Sequence, residues 1–314
     1  INITTTTNVR AIAYLESRNF IPTNVDTHTF IFLDDVETQN SAGLIAKGWA
    51  EDWGYDSQVR RVIPADYDMD PRVVNDTLNL RAPGYSVRDA LLDIPSVSLT
   101  MKQEDFVTTR DGTSTSPKSL YGTPRDRFEK ICSIEYILPD GSRGFQEDCK
   151  IETHGNSSRT PTRMQKHSLR LTFSSSVGIG KLRYNLFPDS PVDEFNKLVL
   201  RACFTDSWAL ASWSSARYRP NDSLYTRDFW MKELFRDMGQ PSSYGNFVHL
   251  YVNGAYFGLH NLAERIEDDF YADHQGGNKE DWEVNADLGT PGPLWNAMIS
   301  SLSGVSDPAR YETA

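Results

Sequence analysis

Short runs of β-rich sequence, bounded by turn residues, recur from residue 94 onward and limit the folds open to this chain. The clearest pair, residues 247–252 and 256–262, is joined by Asn253 and Gly254, a dipeptide typical of two-residue hairpins. Between Tyr225 and Met238, in contrast, apolar side chains recur at helical spacing. The pattern predicts an α+β fold, in which a mostly antiparallel sheet accompanies one central helix. The other predicted strands are residues 94–100, 133–138, 149–154, 168–173 and 198–201.

The sequence pattern divides the chain into three segments. Residues 1–34 contain two alternating apolar and polar runs, which predict two strands and a turn. Two strands cannot bury a core alone, so we expect them to be the last strands of a β-sandwich. Residues 35–92 have weak periodicity and are expected to be a linker and lead-in segment, with a capped turn at residues 66–71 before a short helix. Residues 93–314 contain the predicted sheet and helix and form the main domain.

The composition is that of an acidic globular protein. Asp and Glu number 43 against 32 Lys and Arg, a net charge of -11, which disfavours nucleic acid as a partner. No run approaches the roughly 20 apolar residues of a membrane-spanning helix. The sequence begins at Ile1 without Met, so we expect a piece of a longer, processed protein. The cysteines, Cys132, Cys149 and Cys203, favour separate buried thiols over one bridge between Cys132 and Cys149 across a hairpin.

A basic cluster follows a small turn at residues 155–158, Gly-Asn-Ser-Ser. Turn N–H groups and hydroxyls together with basic side chains can hold a phosphate, and this cluster stands out because the chain is acidic. The spacing fits a solvated basic face equally well, since it contains neither a Walker-type glycine pattern nor a dinucleotide fingerprint. The basic residues are Arg159, Arg163, Lys166 and Arg170.

Several blocks of sequence spread over residues 65–285 carry a family resemblance: residues 67–74, 94–98, 154–159, 166–170, 181–187, 198–201, 227–228, 248–254 and 264–265. In this order and spacing they resemble the spore coat protein H (CotH) family of atypical secreted protein kinases. Residues 1–34 resemble the end of a chitobiase-type or fibronectin type III-like β-sandwich. The resemblance implies a distant kinase-like fold, with residues 93–314 as its N-terminal and central part.

The resemblance also implies a site. A kinase needs a lysine for the ATP phosphates and a carboxylate that holds this lysine, and these roles are expected for Lys166 and Glu264. A surface lysine and a plain strand-end carboxylate are the alternatives. Ser158, Arg159, Arg170 and Arg201 are the expected phosphate or nucleotide ligands, and Asp206 is expected to border the cleft with Arg201. Secondary candidates are Arg227, Asp228 and Glu233. Asp228 could simply favour the helix N-terminus through the helix dipole. Glu233 lies where a kinase helix places the carboxylate partner of its lysine.

The activity implied by the resemblance is ATP-dependent phosphorylation of Ser or Thr in an extracellular or coat protein by a secreted bacterial exoprotein. ATP and a divalent metal, Mg or Mn, are the implied cofactors. The family carries its metal-binding and catalytic aspartates in a later Trp-Asp-x-Asp segment, which residues 286–314 lack. We therefore expect a nucleotide-holding part without its catalytic part, inactive as it stands, and the metal ligands stay unknown.

Two other functions remain open. The first is a non-catalytic binding or structural module of an exoprotein that attaches to a cell-surface or matrix component. A sugar-binding role would use exposed tryptophans, but Trp208, Trp213 and Trp230 are expected to lie in the core. The second is a hydrolase that pairs His154 or His249 with a serine, but the sequence contains no nucleophile elbow for such a serine.

Overall fold

A computed structural model describes residues 2–15, 23–56, 59–79, 81–107, 119–121, 128–160, 162–208, 222–285 and 291–302. The strands in these ranges are β1 (Thr7–Ala11), β2 (Asp26–Phe30), β3 (Asp52–Asp56), β4 (Arg61–Pro64), β5 (Ser96–Thr100), β6 (Lys130–Ile137), β7 (Arg143–His154), β8 (Ser168–Thr172), β9 (Leu182–Arg183), β10 (Glu194–Phe195), β11 (Lys197–Arg201), β12 (Gly245–Val252) and β13 (Ala255–Glu264). The helices are α1 (Leu33–Glu37), α2 (Ser41–Ile45), α3 (Pro71–Val74), α4 (Val87–Asp93), α5 (Gln103–Phe106), α6 (Arg227–Asp237), α7 (Asp268–Gln275) and α8 (Pro293–Ser301).

Seven strands close a barrel in the order β11-β13-β12-β5-β6-β7-β8, with β8 pairing back onto β11. Every neighbour in this ring is antiparallel except β12 and β5, which run parallel with His249 opposite Ser96. Alternate side chains point inward and pack into the main core. The expected α+β fold with a large antiparallel sheet is confirmed, whereas closure into a barrel was not predicted. Fully buried members of this core include Leu99, Ile134, Ile151, Leu169, Leu171, Leu198, Leu200 and Leu250.

The turn between β12 and β13 is the hairpin that the Asn-Gly pair predicts. Asn253 and Gly254 have φ angles of 48° and 80°, which a two-residue hairpin turn requires. Asn253 also accepts a hydrogen bond from the Met101 N–H through its side-chain oxygen at 2.9 Å. This contact fixes the hairpin end beside the residue that follows β5.

The described part of residues 35–92 contributes side chains to the folded core, although weak periodicity predicts a linker. Trp49, Trp53 and Tyr67 are each at most 6% exposed and belong to the same cluster as the barrel interior. The short helices and the β3–β4 pair bring these large side chains together without a regular sequence period, so the pattern concealed them. The predicted capped turn is confirmed, because the side chain of Asp70 accepts a 2.8 Å hydrogen bond from the Arg72 N–H at the start of α3. The domain boundaries themselves stay predictions.

The two predicted N-terminal strands are confirmed as the antiparallel pair β1 and β2. This hairpin lies on β5 and β6 through polar side chains. The Asn8 amide nitrogen donates to the Thr29 hydroxyl at 2.8 Å and to the Thr100 hydroxyl at 2.7 Å. The Thr29 hydroxyl donates in turn to Glu135 at 2.5 Å. The structure therefore has a hairpin attached to a barrel, and its origin in a β-sandwich stays a prediction.

Helix α6 lies on the outer face of the barrel. Its contact residues include Phe229, whose ring centroid is 5.2 Å from that of Phe247 on β12. Trp230 on the opposite side is 58% exposed, and Trp208 is 61% exposed. The expectation that these tryptophans lie in the core is therefore wrong for both: Trp230 lies on the exposed side of α6, and Trp208, outside this helix, is exposed as well. Trp213 lies outside the described residues. Across the described ranges, every helix is too short or too polar to cross a membrane.

Candidate functional site

A cavity of about 460 Å³ opens where β7, β8 and β11 meet the start of α6. Antiparallel pairing brings the end of β7, the start of β8 and the end of β11 to one rim of the barrel. A cavity of this volume is within the range of about 300–1,000 Å³ that is common for small-molecule sites. We call it the Arg201 pocket, and it is lined by His154, Gly155, Ser158, Ser168, Arg201, Cys203, Phe204, Thr205, Asp206, Arg227 and Asp228.

An ion pair between Arg201 and Asp228 joins the barrel to α6 at this pocket. Arg201 Nη2 donates to Asp228 Oδ1 at 3.1 Å, and Nε lies 2.9 Å from Oδ2. Lys232, one helical turn further, places Nζ 3.1 Å from the same Oδ2. Burial and the neighbouring Arg201 charge lower the pKa of Lys232. Two cations therefore share one carboxylate, which leaves excess positive charge beside the pocket.

Asp206 closes the other side of the pocket and is 5% exposed. It accepts hydrogen bonds from the Leu224 N–H at 2.9 Å and the Arg227 N–H at 3.0 Å. The Arg227 guanidinium lies 3.0 Å from its Oδ1 and is half exposed. Asp206 thus fixes the first residue of α6 and orients Arg227 at the mouth of the pocket.

The turn after β7 contributes Gly155 and Ser158 to the pocket wall. Gly155 has a φ of 108°, and a Cβ there would overlap the Ser158 hydroxyl, so glycine allows this hydroxyl to lie against the backbone. The Ser168 hydroxyl, at the start of β8, accepts a 2.9 Å hydrogen bond from the Ala202 N–H. Burial raises the pKa of the Cys203 thiol to about 12, so this pocket cysteine is protonated at neutral pH. The pocket therefore offers hydroxyl donors and guanidinium groups.

Arg159 and Lys166, which belong to the predicted phosphate cluster, do not line the Arg201 pocket. Arg159 is 9% exposed and donates from Nε to the Gly155 carbonyl at 2.8 Å. The Lys166 amine lies against Gly258, where a Cβ would collide with it. Burial lowers the pKa of Lys166, and burial together with the Lys166 charge lowers the pKa of His260 to about 3.

Glu264 lies near the opposite end of the barrel strands from Lys166. Gly258 and Glu264 are six residues apart on β13, which corresponds to about 20 Å along a strand. Glu264 instead accepts hydrogen bonds from the Tyr244 N–H and from His274 Nε2, both at 2.8 Å. The expected pairing of Lys166 with Glu264 is therefore corrected, because the distance is far too long for an ion pair.

Two further predicted residues also lie outside the pocket. Arg170 follows Ser168 on the same face of β8, but it forms an ion pair with Glu152 and approaches Glu267 at 3.6 Å. Burial would raise the pKa of Glu267, but hydrogen bonds from Lys197 and Arg265 outweigh it and hold this pKa below its ordinary value. Glu233 on α6 is about half exposed, and its Oε1 lies 3.7 Å from Nη2 of Arg236.

The structure thus brings together Ser158, Arg201, Asp206, Arg227 and Asp228 from the predicted set. Sequence reasoning missed Ser168, Cys203 and Lys232; of these, only Lys232 had a signal, its i,i+4 spacing from Asp228. The donors suit a phosphate-bearing anion. For a divalent metal the fit is poor, since no group of three or more His, Cys, Asp or Glu among the described residues could hold one.

No curated protein matches this chain. A family model does match, and residues 151–298, the matched region, contain every residue that lines the Arg201 pocket. That model is described as CotH kinase protein, so this region of the chain is similar to that family.

Proposed function

We propose that the chain is a CotH-type atypical protein kinase domain and that the Arg201 pocket holds the phosphates of ATP. The observation that carries the proposal is the ion pair between Arg201, at the end of β11, and Asp228 on the next helix. Protein kinases hold nucleotide phosphates with a strand lysine that a helix glutamate orients. An arginine in this role adds a planar fork of donors for phosphate oxygens.

The order of elements supports Arg201, rather than Lys166, for this role. Strands β7 and β8 are joined by the turn at Gly155 and Ser158, and β11, α6 and the β12–β13 hairpin follow. A kinase has the same order: a glycine-containing turn over the phosphates, a strand with the cation, and a helix with the carboxylate. In this scheme Ser158 and Ser168 donate hydroxyl hydrogen bonds to phosphate oxygens, and Arg227 supplies charge at the mouth.

The reaction we propose for the family domain is transfer of the ATP γ-phosphate to Ser or Thr of an extracellular or coat protein, in a secreted bacterial exoprotein. A divalent ion, Mg or Mn, supplies charge neutralisation of the phosphates when bound. The described residues do not provide its ligand set, so no step is derived through it. Because residues 286–314 lack a Trp-Asp-x-Asp segment, we propose that this chain binds nucleotide without transferring phosphate.

Replacing Arg201 tests the proposal. We expect Arg201→Ala to weaken ATP binding by at least about tenfold, since it removes a charge-assisted contact. Titration calorimetry with ATP, with unfolding followed by circular dichroism, measures both affinity and fold. Arg183→Ala, in an exposed pair with Glu194, is the matched control and should bind like the unmodified chain. An ATP affinity of Arg201→Ala equal to that of the unmodified chain, or no ATP binding by the unmodified chain, would contradict the proposal.

A non-catalytic binding module is the second candidate, and the exposed rings of Trp208 and Trp230 favour it. Such aromatic surface residues are common at interfaces. ATP titration separates the two candidates: binding by the unmodified chain supports a kinase-type nucleotide pocket, whereas a folded chain that does not bind ATP supports the non-catalytic module. Transfer of labelled γ-phosphate to a Ser/Thr peptide would contradict the proposed lack of transfer.

A further inference from the structure

Two cysteines face each other inside the barrel. Cys132 on β6 and Cys149 on β7 are direct partners in the antiparallel register. Their Sγ atoms are 3.6 Å apart, and the two residues are 2% and 0% exposed. Both are free thiols, as is the half-buried Cys203.

The backbone at this pair already has the spacing that a disulfide needs. Residues directly opposite in an antiparallel ladder have Cα atoms about 4.5 to 5.5 Å apart. Disulfides span Cα distances of about 4.4 to 6.8 Å. Side-chain rotation alone can therefore bring the two sulfur atoms to bonding distance, and no strand has to move.

We propose that Cys132 and Cys149 form a structural disulfide that ties β6 to β7 when the chain folds in an oxidising compartment. The fold offers no comparable alternative among the described thiols, because Cys203 lies in the Arg201 pocket rather than in the barrel interior. Strand β7 ends at the turn that carries Gly155 and Ser158, so the bridge would hold in place the strand that leads into the pocket.

The chemistry needs an external oxidant, a low-molecular-weight disulfide or the disulfide of an oxidoreductase. One cysteine thiolate attacks this disulfide and expels one half as a thiol; the second thiolate then attacks the mixed disulfide and expels the other half. The two protein thiols are oxidised, their protons go to the two leaving sulfurs, and the oxidant is reduced to two thiols. Contact with Cys132 and burial raise the pKa of Cys149, so the thiolate forms before the barrel closes.

Refolding under two redox conditions tests the proposal. The denatured, reduced chain is refolded with a mixture of reduced and oxidised glutathione, or with dithiothreitol, and free thiols are then blocked. We expect the glutathione sample to keep one free thiol and to yield, in unreduced peptide maps, a peptide containing Cys132 joined to one containing Cys149. Its thermal midpoint should exceed that of the reduced sample by about 5 °C.

Two variants decide the pairing. Cys203→Ser should retain the bridge and the thermal shift, whereas Cys149→Ser should lose both. If Cys149→Ser does not fold, the peptide map of Cys203→Ser decides alone. Three free thiols after glutathione refolding, or a bridge that includes Cys203, would overturn the proposal.

Discussion

Lys166 shows that the sequence can suggest a role for a residue without showing where its side chain lies in the fold. It follows a glycine-serine turn, which makes it a reasonable phosphate ligand in the sequence. In the fold its amine is packed against Gly258 near His260, inside the rim of the barrel. A charged amine in such surroundings loses hydration, and this loss lowers the pKa of Lys166.

We expect Lys166→Met to leave ATP affinity unchanged and to stabilise the fold at pH 7 by about 1 kcal/mol, because it removes a buried charge at similar volume. The sign follows from linkage. The folded-state pKa lies below the unfolded value, so the penalty is present below the folded pKa and fades as the pH rises toward the ordinary value near 10.4. The stability gain of the variant should therefore shrink as the pH rises from the folded pKa toward the ordinary value and be nearly absent at pH 10.5.

Urea unfolding at pH 7 and pH 10.5, with ATP titration of the same samples, measures both quantities. Lys279→Met, at an exposed position, is the control and should show no such pH-dependent gain. Loss of ATP binding in a folded Lys166→Met variant would contradict the assignment to Arg201 and return the phosphate role to Lys166.

The start of helix α6 is held by a residue that lies outside the helix. Its first N–H, that of Arg227, is bonded by Asp206, which lies in a different segment just after β11. Asp228 and Lys232 on the same helix then face Arg201. The position of Asp228 in the pocket therefore depends on a cap supplied from outside the helix.

Removing that cap should loosen the start of α6. We expect Asp206→Ala to lower the free energy of unfolding by about 2 kcal/mol, because the partly buried Leu224 and Arg227 N–H groups lose their charged acceptor. ATP binding should weaken too, since Asp228 and Arg201 would lose their fixed separation. Denaturant unfolding and calorimetry measure the effects. Asp237→Ala, at the exposed far end of α6, should change neither, and an unperturbed Asp206→Ala variant would refute the role of this cap.

Local pattern was enough to predict most individual elements. Strands β5, β8, β11, β12 and β13 and helix α6 follow from alternation, turn dipeptides and helical spacing. Barrel closure was not predictable, because the parallel pairing of β12 with β5 leaves no local mark. In the site, Ser158, Arg201 and Asp228 were found, but the directions of Lys166 and Glu264 depend on the register of strands distant in sequence. Residue type was readable from the sequence; side-chain direction was set by the sheet.

At the scale of the whole molecule, a polar layer joins the N-terminal hairpin to the barrel. Asn8 and Thr29 on the hairpin meet Thr100 and Glu135 on the barrel, and Glu135 is 2% exposed. Burial raises the pKa of Glu135, although the Thr29 hydrogen bond and the nearby Arg143 and His28 oppose the shift. The hairpin is thus docked over a carboxyl group that resists ionisation.

This layer predicts a pH-dependent stability. The folded-state pKa of Glu135 exceeds the unfolded value near 4.3, so its contribution is full below that value and is lost as the pH rises through the folded pKa. We expect Glu135→Gln, which keeps an acceptor for Thr29, to be more stable than the unmodified chain by about 1 kcal/mol at pH 7 and nearly equal at pH 4.

Urea unfolding of both proteins at the two pH values provides the measurement. Glu51→Gln, at an exposed position, serves as the control for the loss of one negative charge. A Glu135→Gln variant that is equally stable or less stable at pH 7 would show that the ionised carboxylate is accommodated in this layer.

The parallel pairing of β5 with β12 limits where the chain can be truncated without opening the barrel. The region that matches the CotH family begins at residue 151, after β5, β6 and most of β7. A fragment that starts there would lack β5 and leave β12 as an unpaired edge strand. Because β12 has five consecutive buried residues, from Val248 to Val252, this edge would be prone to aggregation. During synthesis the barrel cannot close until β12 has been made, because the earlier strand β5 pairs with it. The region that matches the family model and the stretch of chain that closes the barrel are therefore different parts of this polypeptide.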